Sequence, residues 1–202
     1  MVFDFSSKYC LENEVVLLRP LELEDAPYLL GYSLNEPEIW KYSLAKAHGE
    51  ENLKKYIQTA VAAREAKSEY PFIVFDKTTQ QYAGTTRFYD IQLAAQTLQL
   101  GYTWYGKKFQ GTKLNKNCKY LLLEFAFEKM NMLRVELRAD NRNERSKAAM
   151  KSVGFIEEGV LRQNVPDGNG GRRDSVVFSV LHNEWRSHVR AELAAKAGFS
   201  NP

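Results

Sequence analysis

The nonapeptide FQGTKLNKN (109–117) joins a strand-like run, LQLGYTW (98–104), to an apolar helix-like run, KNCKYLLLEFAFEK (116–129). A helix that begins near Asn115 or Lys116 leaves its first amides without intrahelical partners, and its dipole is positive at that end. With Gly111 letting the backbone approach closely, such a junction makes an anion site. An ordinary strand-to-helix loop with solvated lysines fits the same residues. Two common phosphate loops are excluded, because neither a Gly–Lys–Ser/Thr tripeptide nor a GxGxxG run occurs.

Outward from this loop the chain alternates strand and helix patterns. VVLLRP (15–20) is a β-branched run stopped by proline, which predicts a strand. ELEDAPYLLGYS (22–33) reads as a short helix with acids in its first turn. From Glu50, the spacing of Leu53, Tyr56, Ile57, Ala60 and Val61 predicts an amphipathic helix. YPFIVFD (70–76) and QYAGTTRFYDI (81–91) flank a polar turn and predict a hairpin. Gly101 in the next strand marks a bulge or a close backbone approach. After the loop, Cys118, Leu121, Leu122 and Phe125 form one stripe, widened by Leu123, Phe127 and Met130, so that helix is largely buried. LRVELRA (133–139) returns as a strand. NERSKAAMKSVGF (143–155) holds a helix ending at Gly154, a left-handed cap. FIEEGVLRQ (155–163) and DSVVFSVL (174–181) are strands around the turn-rich NVPDGNGGRR (164–173), and NEWRSHVRAELAAKA (183–197) closes as a helix.

The expected fold class is therefore α+β: a mixed, mostly antiparallel sheet of about seven strands flanked by helices. The strand–loop–helix–strand unit over 98–139 is long enough for a right-handed crossover between parallel strands. With 202 residues, 44% hydrophobic and 26% charged, residues 1–202 are expected to form one domain with its core at about 14–186. No apolar run approaches the ~20 residues of a membrane helix, and the first residues lack a signal-peptide pattern. Cys10 and Cys118 form neither a CxxC pair nor a metal-ligand spacing, so a reduced, cytoplasmic protein without a metal is expected. Cys118, on the apolar stripe, is expected to be buried and inert. The net charge of +3 does not itself call for nucleic acid. Its distribution is uneven: Lys107, Lys108, Lys113, Lys116 and Lys119 crowd the loop, and Arg142, Arg145, Lys147 and Lys151 crowd a second segment.

Four segments in order, VVLLRPLELEDAPYLL (15–30), LQLGYTWYGKKFQGTKLNKNCKYLLLEFAFE (98–128), LRVELRADNRNERSKAAMKSVGFIEEGVLR (133–162) and DSVVFSVLHNEW (174–185), together resemble the GNAT superfamily of acyl-CoA-dependent N-acyltransferases, closest to its RimJ/RimL-type branch. The resemblance implies a GNAT fold with a splayed parallel strand pair. It also implies acetyl-CoA as co-substrate and acyl transfer to a primary amine by direct attack in a ternary complex. In the family, the loop before the central helix follows Q/R-x-x-G-x-G/A and wraps the CoA pyrophosphate with backbone amides. Here that register reads Gln110, Gly111, Thr112, Lys113, Leu114, Asn115. Lys113 stands in place of the usual glycine. If its φ must be positive, lysine costs ~1–2 kcal/mol relative to glycine, and cofactor binding is expected to be weakened rather than abolished. If φ is negative, that cost vanishes.

By the same resemblance, Tyr102, Thr103 and Trp104 supply backbone to the pantetheine arm, and a main-chain N–H there is the oxyanion donor. Asn143 contacts the pantetheine arm, Ser146 sits near the thioester sulfur as a possible general acid, and Arg145 and Lys147 reach toward CoA phosphates. Asn143 is equally a helix N-cap, Ser146 a small packing residue, and the two basic residues solvated charge. The family's tyrosine acid falls on Met150 and its strand glutamate on Gln99. A base is still required, and Glu136, Glu157 and Asp140 are its candidates. His48, His182 and His188 are scattered and are read as surface or packing residues. The expected partners are a CoA thioester and an amine acceptor, either a protein N-terminus or a small molecule, with Glu36 and Glu38 as acids that attract an ammonium. Neither membrane nor nucleic acid is expected, and the chain is a monomer or a homodimer. Two other readings stay open: a catalytically weak GNAT-fold acyl-CoA-binding module, kept by Gln99 and Met150, and a basic-patch binder of nucleic acid or acidic protein.

Overall fold

The computed structural model describes residues 3–167 and 170–199. It contains one sheet of eight strands in the order β1-β2-β3-β4-β5-β6-β8-β7. They are β1 (Leu11–Glu12), β2 (Val16–Pro20), β3 (Tyr70–Asp76), β4 (Gln81–Gln92), β5 (Thr97–Tyr105), β6 (Arg134–Asp140), β7 (Ile156–Pro166) and β8 (Arg172–Leu181). The eighth strand beyond the expected seven is β1, two residues that pair Leu11 with Leu18. So short a strand carries no readable alternation. β7 and β8 also extend further into NVPDGNGGRR than expected, because Val165 pairs with Arg173 and Pro166 with Arg172.

Helices cover both faces. On one side, α1 (Ala26–Asn35) and α2 (Glu50–Glu65) bury Leu29, Leu53, Tyr56, Ile57, Ala60 and Val61 against Ile73 and Trp104. The period expected from Glu50 is thus the buried face of α2. On the other side lies α3 (Leu114–Glu124), whose Cys118, Leu121 and Leu122 pack against Phe72, Phe88, Leu98 and Leu100. Phe72 and Ile73 are neighbours in β3, so the alternation of the pleat sends them to opposite layers. α4 (Glu144–Ser152) ends at Gly154 with φ 94°, where a Cβ would meet Val189 at 2.7 Å. β8 runs into a helical turn α5 (His182–Glu184), a wider π-type turn over 185–189, and α6 (Arg190–Ala197). Trp185 is fully buried there and donates from Nε1 to Glu128 at 3.0 Å.

Two backbone features position the site. β5 and β6 are parallel but pair only at Thr97–Arg134, Leu98–Val135 and Gln99–Glu136. Beyond these three rungs the strands diverge. On its other edge β5 bulges: Thr85 pairs with Trp104 and Arg87 with Gly101, so Tyr102 and Thr103 stand opposite Thr86. Tyr102 takes a left-handed φ of 49°, a conformation that costs a non-glycine residue free energy and re-aims the strand.

Candidate functional site

The diverging strands open a cleft of about 500 Å³. Its walls are the β5 bulge, with Tyr102, Thr103 and Trp104, and the end of β6, with Leu137, Ala139 and Asp140. The FQGTKLNKN loop stands at one end. Gly111 has φ 76°, and Thr112 closes the turn by donating to the Phe109 carbonyl at 2.7 Å and accepting from the Leu114 amide at 3.2 Å. α3 starts at Leu114; its Asn117 amide donates to the Lys113 carbonyl at 3.1 Å, which leaves Asn115 and Lys116 as the first-turn amides without a partner, at the positive end of the dipole. Gln110, Gly111 and Asn115 line the cleft, whereas Leu114 is core. Gln110 donates to the Tyr105 carbonyl at 2.8 Å and accepts from Arg145, which ties α4 to β5 across the mouth.

Lys113 corrects one expectation. Its φ is −70° and its ψ −13°, ordinary right-handed values, so no strain weakens the loop. Its ammonium turns away from the cleft: a Cβ on Gly198 would lie 3.1 Å from Lys113 Nζ. It thus sits at the C-terminal end of α6, where free carbonyls attract a cation. Lys113→Gly is therefore expected to leave acetyl-CoA affinity within about twofold and to lower stability by roughly 0.5–1 kcal/mol. Calorimetric titration and a thermal melt check both, and a tighter complex in the variant would contradict it.

On the opposite lip, Asn143 caps α4 by accepting the Ser146 amide at 3.1 Å, and both residues line the cleft. The cap role and a place on the cleft wall therefore coexist. Arg145 is exposed at the same lip, while Lys147 is paired with Glu144 at 2.7 Å. The base candidates fare differently. Both oxygens of Glu136 are taken, by Arg138 at 2.6 Å and Arg134 at 2.9 Å, and it is not on the cleft wall. Glu157 pairs with Lys151 at 2.9 Å. Asp140 lines the cleft, but the Arg142 guanidinium holds both its oxygens, at 2.9 and 2.7 Å, and its carboxyl lies below the usual range. Glu136 is therefore set aside as a base, along with Glu157 and Asp140. Glu38 is engaged too, by Lys107 at 2.7 Å, and Glu36 accepts the Lys107 amide at 2.7 Å.

Of three further cleft residues, Asp90 and Arg173 carry no signal in the sequence, and Lys119 reads there only as loop charge. Asp90, at the end of β4, accepts from Gln92 at 2.9 Å and from Gln99 at 2.8 Å, with no cation on it among the described residues. Gln99, standing where the family's glutamate was expected, thus holds a carboxylate that arrives from the neighbouring strand. Lys119 is only 4% exposed, reaches Thr103 Oγ1 at 3.1 Å, and is brought by burial down to about 8. A charge inside the apolar stripe of α3 was the available signal. Arg173 on β8 is the third. Met150 lines the cleft and is buried. Cys118 is buried, which pushes its thiol up to about 12. None of the three histidines lines the cleft.

Among the described residues no helix is long and apolar enough to cross a membrane, and no cluster of three or more metal-ligating side chains occurs. The acetyltransferase (GNAT) domain family matches residues 16–156. "Probable N-acetyltransferase YjcK" of Bacillus subtilis (strain 168) is 29% identical over 177 residues, covering 85% of this chain and 97% of that relative. A crystal structure assigned as an acetyltransferase is 32% identical, with 100% of both chains covered and a TM-score of 0.86. RimJ of Mycobacterium smegmatis, solved in complex with CoA-disulfide, shares the fold at 20% identity, with 93% of each chain covered and a TM-score of 0.77. With its splayed parallel pair, bulged strand and helix-start loop in place, the chain belongs to the GNAT family and is an N-acetyltransferase.

Proposed function

We propose that the cleft carries acetyl transfer from acetyl-CoA to a primary amine by direct attack in a ternary complex. The observation that carries this reading is the three-rung β5–β6 pair opening into a cleft with a bulge on one wall and two helix starts at its mouth. The first-turn amides of α3 and the backbone at Gly111, with Gln110 and Arg145 beside them, suit a pyrophosphate. The backbone of Tyr102 and Thr103, outside both the β4 and the β6 ladders, suits the pantetheine arm. A bulge amide suits the oxyanion, since that role needs a fixed dipole rather than a particular side chain. Asp90 takes the proton from the acceptor ammonium, directly or through water. After attack the nitrogen sheds its second proton, which Ser146, on the facing lip, relays to the leaving thiolate, so that its own hydroxyl is restored.

A donor-by-acceptor panel read by thiol release tests the reading, with peptides bearing free N-termini among the acceptors. Release that requires both acetyl-CoA and an amine supports it. Binding of CoA with no release for any amine supports the acyl-CoA-binding alternative, which Gln99 and Met150 keep in play. The basic-patch reading loses ground because the loop lysines are dispersed: Lys107 pairs with Glu38, Lys108 with Gln81, and Lys119 is buried.

A further inference from the structure

β6 and β8 pair with Arg138 opposite Val177 and Asp140 opposite Ser175. Arg138, Asp140, Ser175 and Arg173 therefore project from one face, opposite to the face that carries Val135, Leu137, Val176 and Phe178 into the core. All four line the cleft. Arg173 is only 9% exposed. Its Nε donates to Ser175 Oγ at 3.1 Å and its Nη1 to the Tyr42 carbonyl at 3.3 Å, and Nη2 has no partner among the described residues. Arg138 uses its Nε on Glu136 at 2.6 Å, and neither Nη group has a partner among the described residues.

The charges around Arg173 do not balance. Burial bears on it most and lowers its proton affinity. Asp140 and Tyr89 oppose that effect, and Arg142 and Arg138 reinforce it. Asp140 is already held by Arg142. A buried guanidinium with a free donor costs free energy until an anion meets it. A planar fork of donors matches the two oxygens of a carboxylate. In the acetyl-transfer reading the CoA phosphates fall instead to the loop and to Arg145.

We propose that Arg173, with Arg138 further along the same face, recognises a carboxylate on the acceptor, so that the acceptor is a small carboxylate-bearing amine of the amino-acid class. This rests on the acetyl-transfer reading of the cleft. The Tyr42 carbonyl and Ser175 hold the guanidinium in place, and the amine then points toward the bulge and Asp90.

Two measurements test it on the intact protein. In the first, N-acetyl amino acids and their matched N-acetyl carboxamides are titrated into the CoA-loaded protein by calorimetry. At least one carboxylate is expected to bind about tenfold or more tighter than its carboxamide, because the amide leaves the guanidinium unpaired. In the second, thiol release is compared for amino acids, their carboxamides and neutral peptides with free N-termini. In Arg173→Gln the ratio of carboxylate to carboxamide kcat/KM should fall about tenfold, with CoA affinity unchanged and Arg173→Lys intermediate. A wild type without the carboxylate preference, or one that favours neutral peptides, overturns the proposal. So does a loss of CoA affinity in Arg173→Gln, which would move the residue to the donor side. If no amine releases thiol, the acetyl-transfer reading fails, while the binding preference still reports on Arg173 alone.

Discussion

Replacing Asp90 with asparagine is expected to lower kcat by about a hundredfold while acetyl-CoA binds as before. Among the carboxylates weighed for the proton transfer, Glu136, Glu157 and Asp140 each face an arginine or lysine. Among the described residues Asp90 is held only by the amides of Gln92 and Gln99, so its charge is free to attract an ammonium. The substitution is also structurally mild. Asp90 has a φ of 47°, and asparagine tolerates that left-handed conformation about as well as aspartate does. Steady-state kinetics on a productive donor–acceptor pair would decide the matter. A kcat within about threefold of wild type would remove Asp90 from the proton path. Gln99→Ala should give a smaller loss, since it frees the carboxylate without deleting it.

Lys119→Met is expected to stabilise the protein by roughly 1–3 kcal/mol near neutral pH. The ammonium is buried on α3 and has one neutral hydroxyl, Thr103 Oγ1, as its partner. Methionine keeps nearly the same length without the charge. The pH dependence carries its own sign. A lysine at about 8 when folded and about 10.5 when unfolded binds more protons in the unfolded state between those values. Wild-type stability should therefore rise with pH from about 8 to 10.5, and the variant's advantage should shrink over the same window. Denaturant melts at pH 7 and pH 10 test both statements. An advantage that is absent at pH 7, or that grows with pH, would show that the ammonium is better compensated than its partners suggest. A charge kept at such a cost on a cleft wall is the pattern of a residue retained for use rather than for folding.

The two periodic helices were legible because their buried faces repeat within one segment: the α2 stripe from Leu53 to Val61, and the α3 stripe from Cys118 to Phe125. FQGTKLNKN was legible as a helix start for the same reason, since turn and cap chemistry is local. Lys113 shows the limit of that locality. Its side chain is placed by Gly198, 85 residues away by the difference of the two numbers, and no neighbouring residue signals it. Asp90 and Gln99 were each visible, but their pairing depends on how β4 meets β5 past a bulge. Arg173 looked like one of several basic residues beside a glycine-rich turn. Only the β6–β8 register brings it onto the face that carries Arg138.

The three-rung contact between β5 and β6 has one more consequence. Beyond Gln99 and Glu136 no main-chain ladder fixes how far apart the two strand ends stand. That spacing is set from beneath, by Leu121 and Leu122 of α3, which pack in one cluster with Leu137 and Ala139. The gauge of the cleft is therefore a property of side-chain volume in the floor. A chain of this fold can adapt to a thicker or thinner occupant by exchanging one buried methylene, with every residue that touches the occupant left unchanged.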